Sequence, residues 1–327
     1  MTLRERANPP QETELTLSLR WPAGDVQERE DWRRAALQAC GPFEWLTLAY
    51  LAFLNLMILL FHRNLPGAPF FLLGHLALAT AIVALAVAAR KSGHPVLFFL
   101  RHWYPLALFL LLFAELHYLV HLVLPGWFDP WLIRFDYALF GVNPTVWLEQ
   151  FASAWLNDLM QFAYMTFYLY PVLLGGVLYR RRELHAFWVV FTGTAVAYYL
   201  GYAVSILFPI EGPYHTLAAL QQVELDGGIF TATINWIESF GRVHGAAFPS
   251  AHVSGSFVVM LGAWRFRRWL FWLFLPFFLL MLVATVYGRY HYVADVFAGL
   301  LAGAIGFGVA VSNRRLKAAP TERIRWC

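Results

Sequence analysis

The 327-residue chain is 60% hydrophobic and 18% aromatic but only 13% charged, whereas a soluble domain is about 45–50% apolar and about 25% charged. That balance excludes a disordered chain, a collagen-like repeat and a typical cytosolic enzyme, and it argues against a nucleic-acid partner despite a net charge of +4. Two cysteines, Cys40 and Cys327, offer no disulfide framework.

Residues 1–42 are polar and charged. They lack the short apolar core and small-residue cleavage site of a removable signal peptide, so they read as a cytoplasmic segment. Eight stretches then approach the roughly 20 apolar residues that cross a hydrocarbon core of about 30 Å. They are Phe43–Phe61, Pro69–Ala89, Tyr104–Leu124, Leu159–Tyr179, Ala186–Phe208, Ala251–Trp264, Trp269–Tyr287 and Tyr290–Val311. The sixth is short, and little more than Gly288 and Arg289 separates the last two, which leaves seven spans as the alternative. The transmembrane domain is thus 43–311, followed by a basic cytoplasmic tail, 312–327. Its fold class is all-α, a polytopic helix bundle.

Charge fixes an expected orientation. With a cytoplasmic N-terminus, 20 of the 24 Lys and Arg residues fall on the inside, including Arg90, Lys91, Arg101, Arg180 to Arg182, Arg265, Arg267, Arg268 and the tail. The outside keeps Arg63, Arg134, Arg242 and Arg289. Such an alternating split follows the positive-inside rule and predicts both termini in the cytoplasm. Two long outer loops, Pro125–Asp158 and Pro209–Ser250, mix aromatic residues with acids and turn formers. They read equally as amphipathic pieces on the outer leaflet or as a folded cap.

Ionisable residues inside spans are costly and therefore mark sites. His252 opens the sixth span in Phe248-Pro-Ser-Ala-His252, and His291 and Asp295 open the eighth. Pro249 suits a helix entry and Ser250 an N-cap. Unpaired N–H groups of Ala251, His252 and Val253 would then offer an anion site. The i, i+4 spacing of His291 and Asp295 places both on one helix face, where the carboxylate orients the imidazole for nucleophilic or base catalysis. A capped helix and a structural His–Asp pair are the plainer readings of these two motifs. Arg242 and His244 precede the first motif and Arg289 the second, as donors for a phosphate ligand or as solvated loop charges.

The combination of Pro249-Ser250-x-His252 with His291-x-x-x-Asp295, each opening a span, resembles the type 2 phosphatidic acid phosphatase superfamily over about residues 159–311. The resemblance implies a six-helix core preceded by N-terminal spans, and a lipid phosphate substrate at the outer face. It also implies His291 as a nucleophile forming a phosphohistidine, Asp295 as its orienting group and His252 as general acid. The family's Lys-x6-Arg-Pro motif is absent, and Ala284-Thr285 stands where Ser-Arg is usual. Thr285-x-Tyr287…His291-Tyr-x-x-Asp295, Phe208-Pro209…Gly212-Pro213 and Asp136…Phe140-Gly141…Pro144 resemble instead the inositol phosphorylceramide synthase branch. That likeness leans the expected reaction towards headgroup transfer to a polyol or lipid hydroxyl rather than hydrolysis of a phosphatidic acid or polyprenyl diphosphate.

Glu115, His117 and His121 in the third span are the acceptor-binding candidates, or else bundle hydrogen bonds. His117 and His121 alone make a poor metal site, and the chemistry implied needs neither metal nor cofactor. A non-catalytic lipid-binding protein or transporter is the reading from another class, although the chain shows no inverted repeat. Compact loops fit a bacterial inner membrane with the site facing outside. The oligomeric state is left open.

Overall fold

A computed structural model describes residues 34–239, 243–313 and 316. The expected polar N-terminal segment before residue 34, most of the basic tail, Cys327 and Arg242 lie outside the described residues. Thirteen α-helices build the described part. They are α1 (Pro42–Leu60), α2 (Ala68–Ser92), α3 (Pro95–Leu119), α4 (Asp129–Phe140), α5 (Pro144–Trp147), α6 (Ala154–Met165), α7 (Leu169–Arg180), α8 (Leu184–Leu207), α9 (Pro213–Thr216), α10 (Ile229–Ser239), α11 (Ala251–Phe266), α12 (Arg268–Tyr287) and α13 (Val293–Ser312).

Seven helical runs are long and apolar enough to cross a bilayer: α1, α2, α3, α6 with α7, α8, α12 and α13. The chain is thus a multi-pass, all-helical membrane protein. The expected sixth span forms α11, of 16 residues and so about 24 Å long, shorter than the hydrocarbon core. It is held inside the bundle against α8, α12 and α13. The fourth span runs from Ala154 to Arg180 and tightens into a 3-10 turn at Thr166–Tyr168.

The third span differs from expectation. Its helix begins at Pro95, so Arg101 belongs to the helix and not to a basic loop. A buried guanidinium needs partners there, and Arg101 finds them in Glu44 of α1 (Nε to Oε1, 3.1 Å) and the Ala39 carbonyl (Nη2, 2.7 Å). The helix also stops at Leu119, so His121 falls in the following turn.

Burial locates the centre. Within its span α8 is 72% buried, against 22–39% for the other six, and α1, α3, α11 and α13 pack around it. Apolar side chains left outside, such as Leu59, Phe70 and Leu73, are those a lipid environment accepts. Between α13 and α11 glycine sets the spacing. A Cβ at Gly299 would stand 2.8 Å from the Ser250 carbonyl oxygen, and one at Gly303 2.7 Å from that of Ser254. This small-xxx-small contact lets two backbones touch where no hydrophobic drive between helices exists. It also locks the start of α11, which carries His252, against α13, which follows His291.

Candidate active site

His252 lies in the first turn of α11, whose N-cap is Ser250. His291 stands two residues before α13, whose N-cap is Tyr292. The helix-face argument for His291 and Asp295 is therefore corrected. Asp295 is the third residue of α13, and its Oδ2 accepts the Tyr292 backbone N–H at 2.8 Å as half of a capping box. The same oxygen lies 3.3 Å from His291 Nδ1. A carboxylate accepts, so Nδ1 carries the proton and Nε2 keeps its lone pair. That Nε2 is 3.2 Å from His252 Nδ1, and His252 Nε2 is 2.8 Å from the Tyr164 hydroxyl. One consistent polarity runs through the set: Tyr164 donates to His252, His252 to His291, and His291 to Asp295. His291 and Asp295 are buried and His252 is partly buried.

Several groups hold this line in place. The Thr285 carbonyl accepts the N–H of both Tyr290 and His291 at 3.1 Å, and the Ser250 N–H donates to the Asp295 carbonyl at 3.2 Å. Asp136 of α4 accepts the N–H groups of Val293 (2.8 Å) and Ala294 (3.0 Å), capping α13 from outside. Burial raises the Asp136 carboxyl above its usual range, and these two N–H groups pull it back. Asp129, fully buried, accepts from the Glu211 and Gly212 N–H groups, the Thr216 hydroxyl and the Tyr292 hydroxyl at 2.8–3.0 Å. Tyr164 itself stacks on Tyr290 at 4.3 Å, and Tyr290 donates to Gln161. Asp129, Tyr164 and Gln161 were not anticipated.

The expected binding residues divide. Ser250 caps α11, and its hydroxyl takes the Val253 N–H at 3.3 Å. That N–H is therefore not open to a ligand, contrary to the expectation of three free donors, and helix geometry leaves those of Ala251 and His252. Arg289, with a left-handed backbone at φ 63°, is buried, and its Nη2 binds Glu149 (2.9 Å) and the Val223 carbonyl (2.7 Å). Its Nε has no partner among the described residues. His244 faces Glu211 at 4.0 Å.

The structure does not bring the acceptor candidates to the site. Glu115 is 2.7 Å from His75 Nε2, whose Nδ1 is 2.6 Å from Asn55 Oδ1, so it ties α3 to α2 and α1. His117 is exposed on the bundle surface, and His121 sits on the Trp127 ring beyond the helix. Glu115→Ala is accordingly expected to lower stability by about 1–2 kcal/mol, read as a lower unfolding midpoint in detergent, with the KM for any acceptor unchanged.

An apolar cavity of about 330 Å³ leads to His252. Phe109 and Phe113 of α3, Pro171 of α7, and Phe191 and Tyr198 of α8 line it. The third span, α3, thus supplies one wall of a slot that His252 also lines. An oriented imidazole with a free lone pair, a second imidazole against it and an apolar slot together suit attack on an ester whose other end is a hydrocarbon chain.

Comparison with known proteins agrees at the level of family. The family model described as PAP2 superfamily matches residues 130–309, from the start of α4 to the last turns of α13. No curated protein and no solved structure matches the chain.

Proposed function

We propose that this chain, which belongs to the PAP2 superfamily, is a lipid phosphotransferase that moves a phosphoryl-bearing headgroup from a membrane lipid to a hydroxyl acceptor. Members of that superfamily are phosphoesterases and phosphotransferases, so an enzyme of this kind is established coarsely and the transfer reaction is our reading. The observation that carries it is the line Tyr164–His252–His291–Asp295, of which His252 lines the apolar cavity.

In the proposed cycle the phosphoryl group enters between the two imidazoles, displacing their mutual contact. With the lipid phosphate bound, His252 is the imidazolium, its Nε2–H donated to the Tyr164 oxygen. His291 Nε2 attacks phosphorus, and the bond to the leaving oxygen breaks as that oxygen takes the His252 Nδ1 proton and leaves His252 neutral. Asp295 offsets the positive charge that develops on His291. An acceptor hydroxyl then attacks the phosphohistidine, gives its proton to His252 and releases His291. The first-turn N–H groups of Ala251 and His252, with the α11 dipole, supply partial positive charge for the phosphoryl oxygens. The split of Lys and Arg between the loops supports placing the site at the extracytoplasmic face.

Water and a hydroxyl acceptor differ only in the second half, so products separate them. Purified chain in vesicles of phosphatidylinositol and ceramide, followed by mass spectrometry, is expected to yield a new phosphodiester and diacylglycerol. Repeats with phosphatidic acid, with and without added inositol, test the smaller donor and a polyol acceptor. Inorganic phosphate or free phosphoinositol as the sole phosphorus product would make the enzyme a hydrolase. Binding of these lipids with no turnover of any would favour a transporter.

A further inference from the structure

The outer loops hold a second cluster that the catalytic line does not use. Glu211 follows α8, His215 lies in α9, and His244 precedes the Pro-Ser-x-His turn. One ligand atom from each lies within 4.8 Å of the others. The His215 and His244 rings are 4.4 Å apart, and His244 Nδ1 is 4.0 Å from Glu211 Oε1. We propose that Glu211, His215 and His244 form a divalent metal site of the two-imidazole, one-carboxylate kind, with Zn²⁺ as the ion this donor set fits best.

The chemistry of the set comes first. Two neutral imidazoles and one carboxylate are the ligands of open zinc sites, with metal–ligand bonds of about 2.0–2.2 Å and a fourth position left for water or an anionic oxygen. Tetrahedral geometry at those bond lengths puts ligand atoms roughly 3.4 Å apart, so small side-chain rotations close the present spacing. Oxygen-only cations such as Mg²⁺ are disfavoured by the imidazoles.

The second observation is that the backbone carrying these ligands is fixed by groups other than the ligands. Asp129 clamps the N–H groups of Glu211 (2.9 Å) and Gly212 (2.8 Å) and the Thr216 hydroxyl (3.0 Å), the residues flanking His215 on both sides. A parallel bridge pairs Ile210 with Ala246, and the Ala247 N–H donates to the Ile210 carbonyl at 3.2 Å. That bridge sets Glu211 beside the segment of His244. The Thr216 hydroxyl also lies 3.4 Å from Glu211 Oε2, an outer contact of the sort that orients metal-binding carboxylates. A site with a preformed frame and soft side-chain positions is what an ion completes.

The place is informative too. Gly212, at φ 104°, has its Cα hydrogen directed at the Ala247 methyl and the Tyr290 carbonyl, where a Cβ would stand 3.4–3.5 Å away. Tyr290 adjoins His291, so the cluster borders the catalytic end of the bundle. Arg289, the nearest sequence candidate for an anion contact, is already engaged by Glu149. A dication with one carboxylate ligand carries net positive charge and an open position there. Use of that position to hold an anionic headgroup rests on the phosphotransferase reading, whereas the site itself does not.

The test is metal content, read without any assay of turnover. Tag-free full chain in detergent is stripped with chelator, loaded with Zn²⁺, desalted and analysed by elemental mass spectrometry. One zinc per chain is expected, with at least a tenfold loss of affinity against a chromophoric chelator in His215→Ala and Glu211→Gln. His244 is exposed, so His244→Asn should fold as the parent does and provides the variant that unfolding cannot confuse. Loading with Co²⁺ should give the visible absorption of a four-coordinate site in the parent and lose it in His244→Asn. Substoichiometric zinc in the parent, or undiminished affinity in His244→Asn, overturns the proposal while leaving the phosphoester chemistry of His291 untouched.

Discussion

Replacing His291 with alanine is expected to remove turnover by at least about 10⁴-fold, as loss of a nucleophile does when the surrounding site survives. The structure gives reason to expect survival. The backbone of this segment is held by the Thr285 carbonyl on its N-terminal side and by Asp136 and Asp295 at the start of α13. None of those bonds involves the imidazole of His291. Asp295 loses its ring partner but keeps the Tyr292 N–H. A monodisperse His291→Ala protein that still binds lipid, shows no product and forms no acid-labile phosphoenzyme from ³²P-labelled donor is the expected result. Measurable phosphoenzyme in that variant would move the nucleophile elsewhere, and full turnover would end the proposed chemistry. A His291→Gln variant restores a polar side chain of similar reach without a nucleophilic nitrogen, so equal inactivity there separates chemistry from loss of packing.

The reasons this prediction was available from sequence, while others were not, are physical. Polar residues at the ends of apolar spans are few, so His252, His291 and Asp295 stood out before any contact was known. The same logic gave an all-helical bundle, because only helices satisfy the backbone over such apolar runs. Span ends were less legible, since a pairing such as Arg101 with Glu44 depends on a helix 57 residues away. Asp129 looked like one more acid in a polar loop, and only the fold reveals four donors converging on it. Tyr164 is one of 15 tyrosines with nothing local to mark its approach to His252. Arg289 reads in the sequence as a phosphate donor or a solvated loop charge, and its engagement by Glu149, 140 residues distant, has no local sign. Glu211 and His215 stand four residues apart in Glu-Gly-Pro-Tyr-His, but their meeting with His244 needs the bridge between Ile210 and Ala246. Side chains whose partners lie in other helices carry no local periodic signal, and that is what separates the two groups.

His252→Ala is expected to lower turnover of alkyl phosphoesters by about 10²–10⁴-fold, the usual range for loss of a positioned general acid. The more diagnostic feature is how that loss depends on the leaving group. An alkoxide needs a proton as its bond to phosphorus breaks, whereas a 4-nitrophenolate departs without one. Formation of the phosphoenzyme from a 4-nitrophenyl phosphoester should therefore fall much less than from the lipid donor. The second half of the cycle still needs a base at His252 to take the acceptor proton, so the phosphohistidine should accumulate in this variant. A burst of 4-nitrophenol followed by slow turnover is the expected trace. If His252 served only to position His291 through the 3.2 Å contact, both substrates would lose rate equally and no burst would appear. Tyr164 supplies a further discrimination, since its hydroxyl meets the far nitrogen of His252 at 2.8 Å. Tyr164→Phe leaves the ring packed on Tyr290 but unties His252, so it should sharpen the dependence on leaving group in the same direction and to a smaller extent. A Tyr164→Phe enzyme with lipid turnover reduced as far as in His252→Ala would instead assign the tyrosine, and not the histidine, to proton delivery.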